Sequence, residues 1–307
     1  MAVQSLTAVP CRAFMEAAPT ASGSSARGCL SPPRPSRISK AAASLLAVLF
    51  PTVCPICNRE ILDARWTGVC GGCWGALNPW RGAACACCGL PFASPQPTGS
   101  TVMLCAACRN ESWDFDLARN YGVYNSPLRE MILELKFRRR ERWGPPLGAL
   151  LVCLWPTVSS RLCDQQPLLI PVPLHAARQR ERGFNQAELL ARGLRAAIRR
   201  SGAQPPTIGN RCVLRIVATR PQSGLSHRAR FENLRGAFVV DRPERVRGRP
   251  VALIDDVMTT GATVSACARS LKKAGASQVL VLTLARATPQ FPITGLPQPS
   301  VDEPLTG

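Results

Sequence analysis

The run Val251-Ala252-Leu253-Ile254-Asp255-Asp256-Val257-Met258-Thr259-Thr260-Gly261-Ala262-Thr263 constrains this chain more than any other part of it. Four apolar residues predict a buried strand, and two adjacent carboxylates stand at its end. A short hydroxyl-rich loop then leads into the helical spacing Val264, Cys267, Ala268, Leu271. Strand, tight loop and helix in that order place a ligand site at the carboxyl end of a parallel strand.

What the site can bind follows from its atoms. A loop of Thr, Thr, Gly, Ala and Thr turning into a helix aims backbone N–H groups and hydroxyls into one concavity, where the helix dipole favours an anion such as phosphate. Asp255 and Asp256 would repel a phosphate placed on them, but they suit the vicinal hydroxyls of a sugar and can help to hold a hydrated Mg²⁺. Together these groups describe a ribose 5-phosphate. No Lys follows the glycine as in G-x-x-x-x-G-K-[ST], which disfavours a nucleoside-triphosphate loop. The plainer alternative, a buried strand followed by a capped helix, leaves two adjacent carboxylates at a costly position without a partner.

These thirteen residues resemble the phosphoribosyl pyrophosphate (PRPP) signature of class I phosphoribosyltransferases. The resemblance implies that Asp255 and Asp256 contact the ribose hydroxyls in the catalytic site, that Thr259, Thr260, Gly261, Ala262 and Thr263 wrap the 5-phosphate, and that Mg²⁺ arrives with the substrate pyrophosphate. In that chemistry a nucleophile displaces pyrophosphate at C1 of the ribose through an oxocarbenium-like transition state.

At 307 residues the chain exceeds one average domain, and its length suggests about two. A formal charge of +19 points to a polyanionic partner or to heavily phosphorylated substrates, unless it reflects a general preference for Arg. Eight of the fifteen Cys fall in four pairs: Cys54/Cys57 and Cys70/Cys73, twelve residues apart, then Cys85/Cys88 and Cys105/Cys108, sixteen apart. Thiolates three positions apart on a tight turn can meet one tetrahedral ion, so four pairs predict two structural Zn²⁺ sites with no position open for water. Sequential pairing is preferred to a cross-brace, and Cys87 could replace Cys85 or Cys88. A disulfide framework is the alternative, but the chain lacks a convincing secretory signal and a reducing cytoplasm, the expected location, disfavours it. Cys11, Cys29, Cys153, Cys163, Cys212 and Cys267 are scattered singly, as small buried hydrophobes would be.

The chain divides into an extension (1–40), a double zinc ribbon (41–110), an α/β domain (111–286) and a tail (287–307). The extension is rich in Ala, Ser, Pro and Arg, a composition it shares with organellar transit peptides, and both it and the tail are expected to be disordered unless the extension reflects an overcalled start codon. No apolar stretch is long enough to span a bilayer. Leu128, Met131, Ile132 and Leu135 have helical spacing, and the end of that segment, Lys136, Phe137, Arg138, Arg139 and Arg140, is either a basic helix terminus or a nucleic-acid contact in which Phe137 stacks a base. Leu168 to Val172 predicts a short buried strand. Asn185 and Glu188 suggest a capping box opening a helix with Leu190, Leu194 and Ile198 on one face.

Between that strand and helix, Arg178, Arg180 and Arg182 on alternate residues, followed by Gly183 and Asn185, suggest a loop projecting toward the phosphate site, where a pyrophosphate would sit. A solvated basic loop is the alternative. His175 fits a hydrogen-bonded structural residue better than a general base. The long basic stretch from Arg215 to Phe238, with Thr219, Gln222 and Arg230, has the length of a lid that would close over a diphosphate.

Taken with Pro173-Leu174-His175, the Arg-x-Arg-x-Arg-Gly-Phe-Asn-Gln run, Thr219-x-x-Gln222-x-x-Leu225, Leu135-Lys136-Phe137 and the Leu49-Phe50-Pro51-x-x-Cys54-x-x-Cys57 opening, the chain resembles the ComF family, including its GntX-like members, from about Leu45 to Arg286. The resemblance implies a Rossmann-like class I phosphoribosyltransferase sheet with flanking helices, preceded by a Cys-rich double zinc ribbon. It implies a Mg²⁺-dependent pentosyl transfer from PRPP to an acceptor the sequence does not identify, linked to DNA uptake in competence, or to nucleotide salvage. Single-stranded DNA and competence-machinery proteins are the macromolecular partners it suggests. The alternative is a single-stranded DNA-binding module in which the PRPP site is regulatory or vestigial.

Overall fold

A computed structural model describes residues 53–61, 68–93, 102–162, 165–217 and 234–288. The N-terminal extension, nearly all of the tail, Cys11, Cys29, Cys163 and the lid positions Thr219, Gln222 and Arg230 lie outside those residues. Two short helices, α1 (Gly71–Gly75) and α2 (Ala106–Asn110), each begin at a cysteine N-cap in the Cys-rich region. There follow β1 (Leu117–Val123), α3 (Leu128–Phe137), α4 (Gly144–Leu150), α5 (Trp155–Ser159), β2 (Leu168–Pro171), α6 (Ala176–Arg182), α7 (Gln186–Arg200) and β3 (Thr207–Ile208). After them come β4 (Val213–Arg215), β5 (Phe238–Val240), β6 (Pro250–Met258), α8 (Ala262–Lys273) and β7 (Gln278–Arg286).

Five strands form one parallel sheet in the order β1-β7-β6-β2-β3, while β4 and β5 make a separate antiparallel pair. A parallel sheet is covered on both faces, which explains the nearly unbroken apolar runs of β6 and β7. Alternation sends Leu168, Ile170, Val251, Leu253, Val279 and Val281 into one core with Val264, Cys267, Ala268 and Leu271 of α8. Leu169, Ala252, Ile254, Leu280 and Leu282 enter the other, with Leu135 of α3, Leu147 of α4 and Leu190, Leu194 and Ile198 of α7. The helical spacings read in α3, α7 and α8 are therefore their buried stripes. Cys212 and Cys267 are fully buried thiols, whereas Cys153 is disulfide-bonded and not a free hydrophobe.

Three expectations change. The strand at Val251 does not end at Ile254: β6 continues through both carboxylates to Met258, paired with β7 as far as Arg286. Residues Leu117–Val123, where the sequence pattern predicts no strand, are the edge of the sheet itself. Their outer side is covered by the Cys-rich region, Ala118 N–H donating to the Cys87 carbonyl (2.8 Å) and Trp80 N–H to the Tyr121 carbonyl (2.7 Å). That coverage blunts an edge that would otherwise be free to pair. Finally, only half of the capping box forms: Asn185 accepts the Ala187 N–H at 2.9 Å, while Glu188 turns to Arg192 at 2.6 Å.

The connection from β2 through α7 to β3 leaves toward one edge of the sheet, and that from β6 through α8 to β7 toward the other. The β2/β6 boundary is thus a topological switch point, where an open parallel sheet offers a crevice. Behind it α4 and α7 cross backbone to backbone. A Cβ on Gly148 would lie 2.2 Å from the Leu190 carbonyl oxygen, and one on Gly193 would lie 2.1 Å from that of Pro145. Overpacking costs about 1–3 kcal/mol, more than the ~1 kcal/mol of helix propensity that alanine returns. Gly193→Ala is therefore expected to lower the chemical-denaturation midpoint, and an unchanged or raised midpoint would contradict the close crossing.

Candidate functional site

β2 pairs with β6 only as far as Pro171 opposite Ile254, whereas β6 and β7 stay paired to Met258. The two carboxylates of β6 consequently stand just beyond the end of their neighbour. Alternation points them to opposite faces. Asp256, 3% exposed, receives Lys136 Nζ of α3 at 2.9 Å, and its Oδ2 is buried without a hydrogen-bond partner among the described residues. Asp255 turns toward α8 and β4, and its Oδ1 accepts the Asp256 N–H at 2.9 Å. Burial, then the charge of Asp256, pushes the Asp255 carboxyl up to about 7, against the pull of Lys136 and Arg215.

A cleft of about 470 Å³ opens over these residues, lined by Asp255, Asp256, Thr259 and Thr263 from β6 and the start of α8, by Lys136, by Arg178, Glu181 and Arg182 of α6, and by His175, Gln186 and Arg215. Four cations thus face three carboxylates across one cavity. Thr260 Oγ1 accepts the Ala262 N–H at 3.4 Å, and Gly261, at φ +89°, turns the chain into α8. A Cβ on Gly261 would strike Met258 and Trp113, so glycine is required both by dihedral and by space.

The segment read as a basic loop is the helix α6. Three arginines on alternate residues then cannot share a face: Arg178 and Arg182, four apart, line the cleft, and Arg180 does not. Arg182 is held by Gln186 Oε1, which accepts its Nη1 at 3.1 Å, and by the Phe137 ring 5.4 Å beneath its guanidinium. Burial lowers its pKa, and Asp256 works against that shift. Gly183, at φ +83°, ends α6, and Asn185 caps α7 and donates to the Val172 carbonyl at 3.0 Å, so both shape the backbone beside the cleft without lining it. His175 caps α6, its Nδ1 accepting the Ala177 N–H at 3.3 Å, as expected of a structural residue.

Lys136 must be moved from the proposed nucleic-acid patch into the cleft, because α3 directs it inward onto Asp256 while Phe137 stays 65% exposed. Arg140 is likewise occupied, by Glu134 at 2.8 Å and the Trp143 ring at 5.3 Å. Arg138 and Arg139 remain exposed, with Arg139 Nη2 donating to the Glu181 carbonyl at 2.7 Å. Arg215, which the sequence marks only as the start of the basic lid stretch, stands at the end of β4, lines the cleft and stacks on Phe238 at 5.6 Å.

The cysteines form two separate groups, Cys54/Cys57/Cys70/Cys73 and Cys85/Cys88/Cys105/Cys108, each with all sulfurs within 4.8 Å of one another. Pairing is therefore sequential, and Cys87 stands outside the set, its carbonyl used by β1. The Cys57–Cys70 and Cys88–Cys105 sulfur distances of 3.5 and 3.6 Å approach the ~3.8 Å edge of a tetrahedron around Zn²⁺. Backbone N–H groups of Cys70, Cys73 and Cys105 donate to sulfurs at 3.3–3.4 Å, the second-shell pattern of a thiolate centre. Both groups fit zinc. No helix among the described residues is long and apolar enough to cross a membrane.

A four-cysteine pair of ribbons joined to a parallel α/β sheet with a switch-point cleft defines the class of protein. A family model described as "Double zinc ribbon domain" matches residues 45–109. The DNA utilization protein YhgH of Salmonella typhi is 31% identical over 239 residues, 77% of this chain and 97% of that protein. Competence protein F of Haemophilus influenzae is 32% identical over 237 residues (76% and 96%), and competence protein ComFC of Bacillus subtilis 29% over 250 residues (76% and 95%). The chain belongs to the ComF family.

Because folding raises the Asp255 carboxyl from its ordinary 3.8 to about 7, its contribution to stability is complete below the ordinary value and is lost as pH rises through about 7. Carbon-detected NMR of the side-chain carboxyl should give a midpoint near that value, shifted further upward by Lys136→Met. A midpoint in the usual carboxylate range would contradict the half-buried position beside Asp256.

Proposed function

We propose that this protein binds PRPP in the switch-point cleft and catalyses Mg²⁺-dependent transfer of its ribose 5-phosphate to an acceptor. The observation that carries the reading is the convergence in one cavity of a carboxylate pair, a phosphate-type loop and two arginines on one helical face. Each ligand group then has a counterpart. Thr259, Thr263 and the first turn of α8 hold the 5-phosphate, Asp255 and Asp256 accept the ribose hydroxyls, and Arg178 and Arg182 hold the pyrophosphate. The unsatisfied Asp256 Oδ2 fits a hydroxyl donor or a water of hydrated Mg²⁺. Bound Mg²⁺ would add neutralisation of the departing diphosphate.

In the reaction the C1–O bond to pyrophosphate breaks, the diphosphate leaves with the bonding pair, and the acceptor forms the new bond at C1 and gives up a proton. Positive charge grows on the ribose ring as the bond lengthens, and the carboxyl groups of Asp255 and Asp256 line the cleft where negative charge on the pair stabilises it. Lys136 holds the Asp256 carboxyl in position from α3 at 2.9 Å.

A link to DNA is favoured by the relatives, a DNA utilization protein and two competence proteins. It is also favoured by the exposed Phe137, Arg138 and Arg139, of which Arg139 donates to the carbonyl of Glu181 and Phe137 lies against Arg182, both residues of the cleft wall. An aromatic among arginines suits a single strand, with a base on the ring and phosphates on the guanidinium groups. On this reading DNA, or a nucleotide from it, is brought to the mouth of the PRPP site.

Titration with inorganic pyrophosphate in the presence of Mg²⁺ tests the assignment of α6. Arg182→Ala should weaken binding about tenfold or more, the loss of one charge-assisted contact, while Arg180→Ala leaves it unchanged. Equal effects, or none from Arg182→Ala, would remove pyrophosphate from this cleft.

A further inference from the structure

The second cysteine centre touches the loop Thr259–Thr263 by two routes. Arg286, at the end of β7 and only 5% exposed, donates through Nη1 to the Thr259 carbonyl at 2.5 Å, and its Nη2 lies 4.0 Å from Cys88 Sγ. Trp113 donates through Nε1 to Cys108 Sγ at 3.1 Å, and its ring stands where a Cβ on Gly261 would come within 3.0 Å of it. One route holds the first residue of the loop and the other its turning point. The first centre has no such position: Cys54 belongs to the core on the opposite face of the sheet, with Cys70 and Cys73 packed against it.

Four thiolates around one divalent cation carry a net charge of minus two and fix the sulfurs in place, so they are strong, stationary acceptors for an indole N–H and a guanidinium. When the ion is withdrawn the four sulfurs take up protons to become thiols, which removes both the charge and the fixed positions. We infer that the metal of the second centre positions the phosphate loop, with Arg286 and Trp113 as the positioning residues that carry its geometry to Thr259 and Gly261. The second ribbon is then part of the ligand site's foundation as well as a cover for the sheet edge. The loop's dependence on the metal stands on these contacts alone, and only its consequence for ligand affinity rests on the ribose-phosphate reading.

Amide hydrogen exchange of the full-length, metal-loaded chain over residues 259–265 tests this, with metal content measured in parallel. Trp113→Phe keeps an aromatic side chain but loses the N–H donor and the outer indole atoms that face Gly261, and Arg286→Met keeps much of the volume and loses the charge. Each should retain two metal ions and raise exchange in the loop about tenfold or more, as expected for a lost hydrogen bond to a charged group. Cys108→Ser, where it folds, should do the same with loss of one ion, while Cys73→Ser loses one ion and leaves the loop unchanged. Affinity for ribose 5-phosphate should fall in step with loop exchange. Unchanged exchange in both Trp113→Phe and Arg286→Met, or an equal response to Cys73→Ser, would overturn the inference. If the wild type binds no ribose 5-phosphate while the loop still answers to the second centre alone, the coupling stands and the ligand assignment falls.

Discussion

β6 outruns β2. The ladder between them closes at Pro171 and Ile254, while that between β6 and β7 continues to Met258 and Arg286, and every feature of the cleft depends on this mismatch. It leaves Asp255 and Asp256 supported on one side by hydrogen-bonded backbone and open on the other. Alternation along β6 then divides the two carboxylates between the faces of the sheet, so that Asp256 meets Lys136 and Asp255 turns toward Arg215. Two adjacent acids on a loop would repel one another into solvent. On a strand each can be held by its own surroundings, and only their exposed edges share the cavity.

The cysteine-rich region serves the same sheet from its outer edge. The turn at Cys87 accepts the Ala118 N–H, and the Cys88 and Gly89 carbonyls accept Asn120 Nδ2 at 3.4 and 3.0 Å. Trp74 and Leu77 pack into one core, while Cys85 and Cys105 pack into the other. A zinc-held turn is rigid without needing a core of its own, so it can cover an edge strand with few residues. The first ribbon thereby supports the face carrying α3 and Lys136, and the second supports the face carrying α8 and the loop Thr259–Thr263.

Much of this was legible in the sequence, for physical reasons. Val251 to Thr263 combines a buried strand, a charged pair and a helix start, each with a strong local signal, and the cysteine spacing states its own chemistry. β1 was illegible because its polar residues, Arg119 and Asn120, are satisfied by ribbon carbonyls distant in sequence, Arg119 Nη1 donating to Ala86 at 3.1 Å. The alternate arginines misled because alternation means a shared direction only in an extended chain, and His175 caps a helix there. Lys136 was grouped with its basic neighbours since sequence adjacency does not reveal that the last turn of α3 faces inward at that residue and outward at Phe137. Arg215 lacked any local pattern and acquires its role from the pairing of β4 with β5.

The central claim is that the switch-point cleft is a PRPP site built on Asp255 and Asp256. Calorimetric titration of the full-length protein with PRPP, with and without Mg²⁺, tests it most directly when run beside Asp255→Asn/Asp256→Asn. The account predicts saturable, Mg²⁺-strengthened binding that the double variant loses while keeping its fold and its zinc. Absence of binding by the wild type, or equal binding by the double variant, would contradict it.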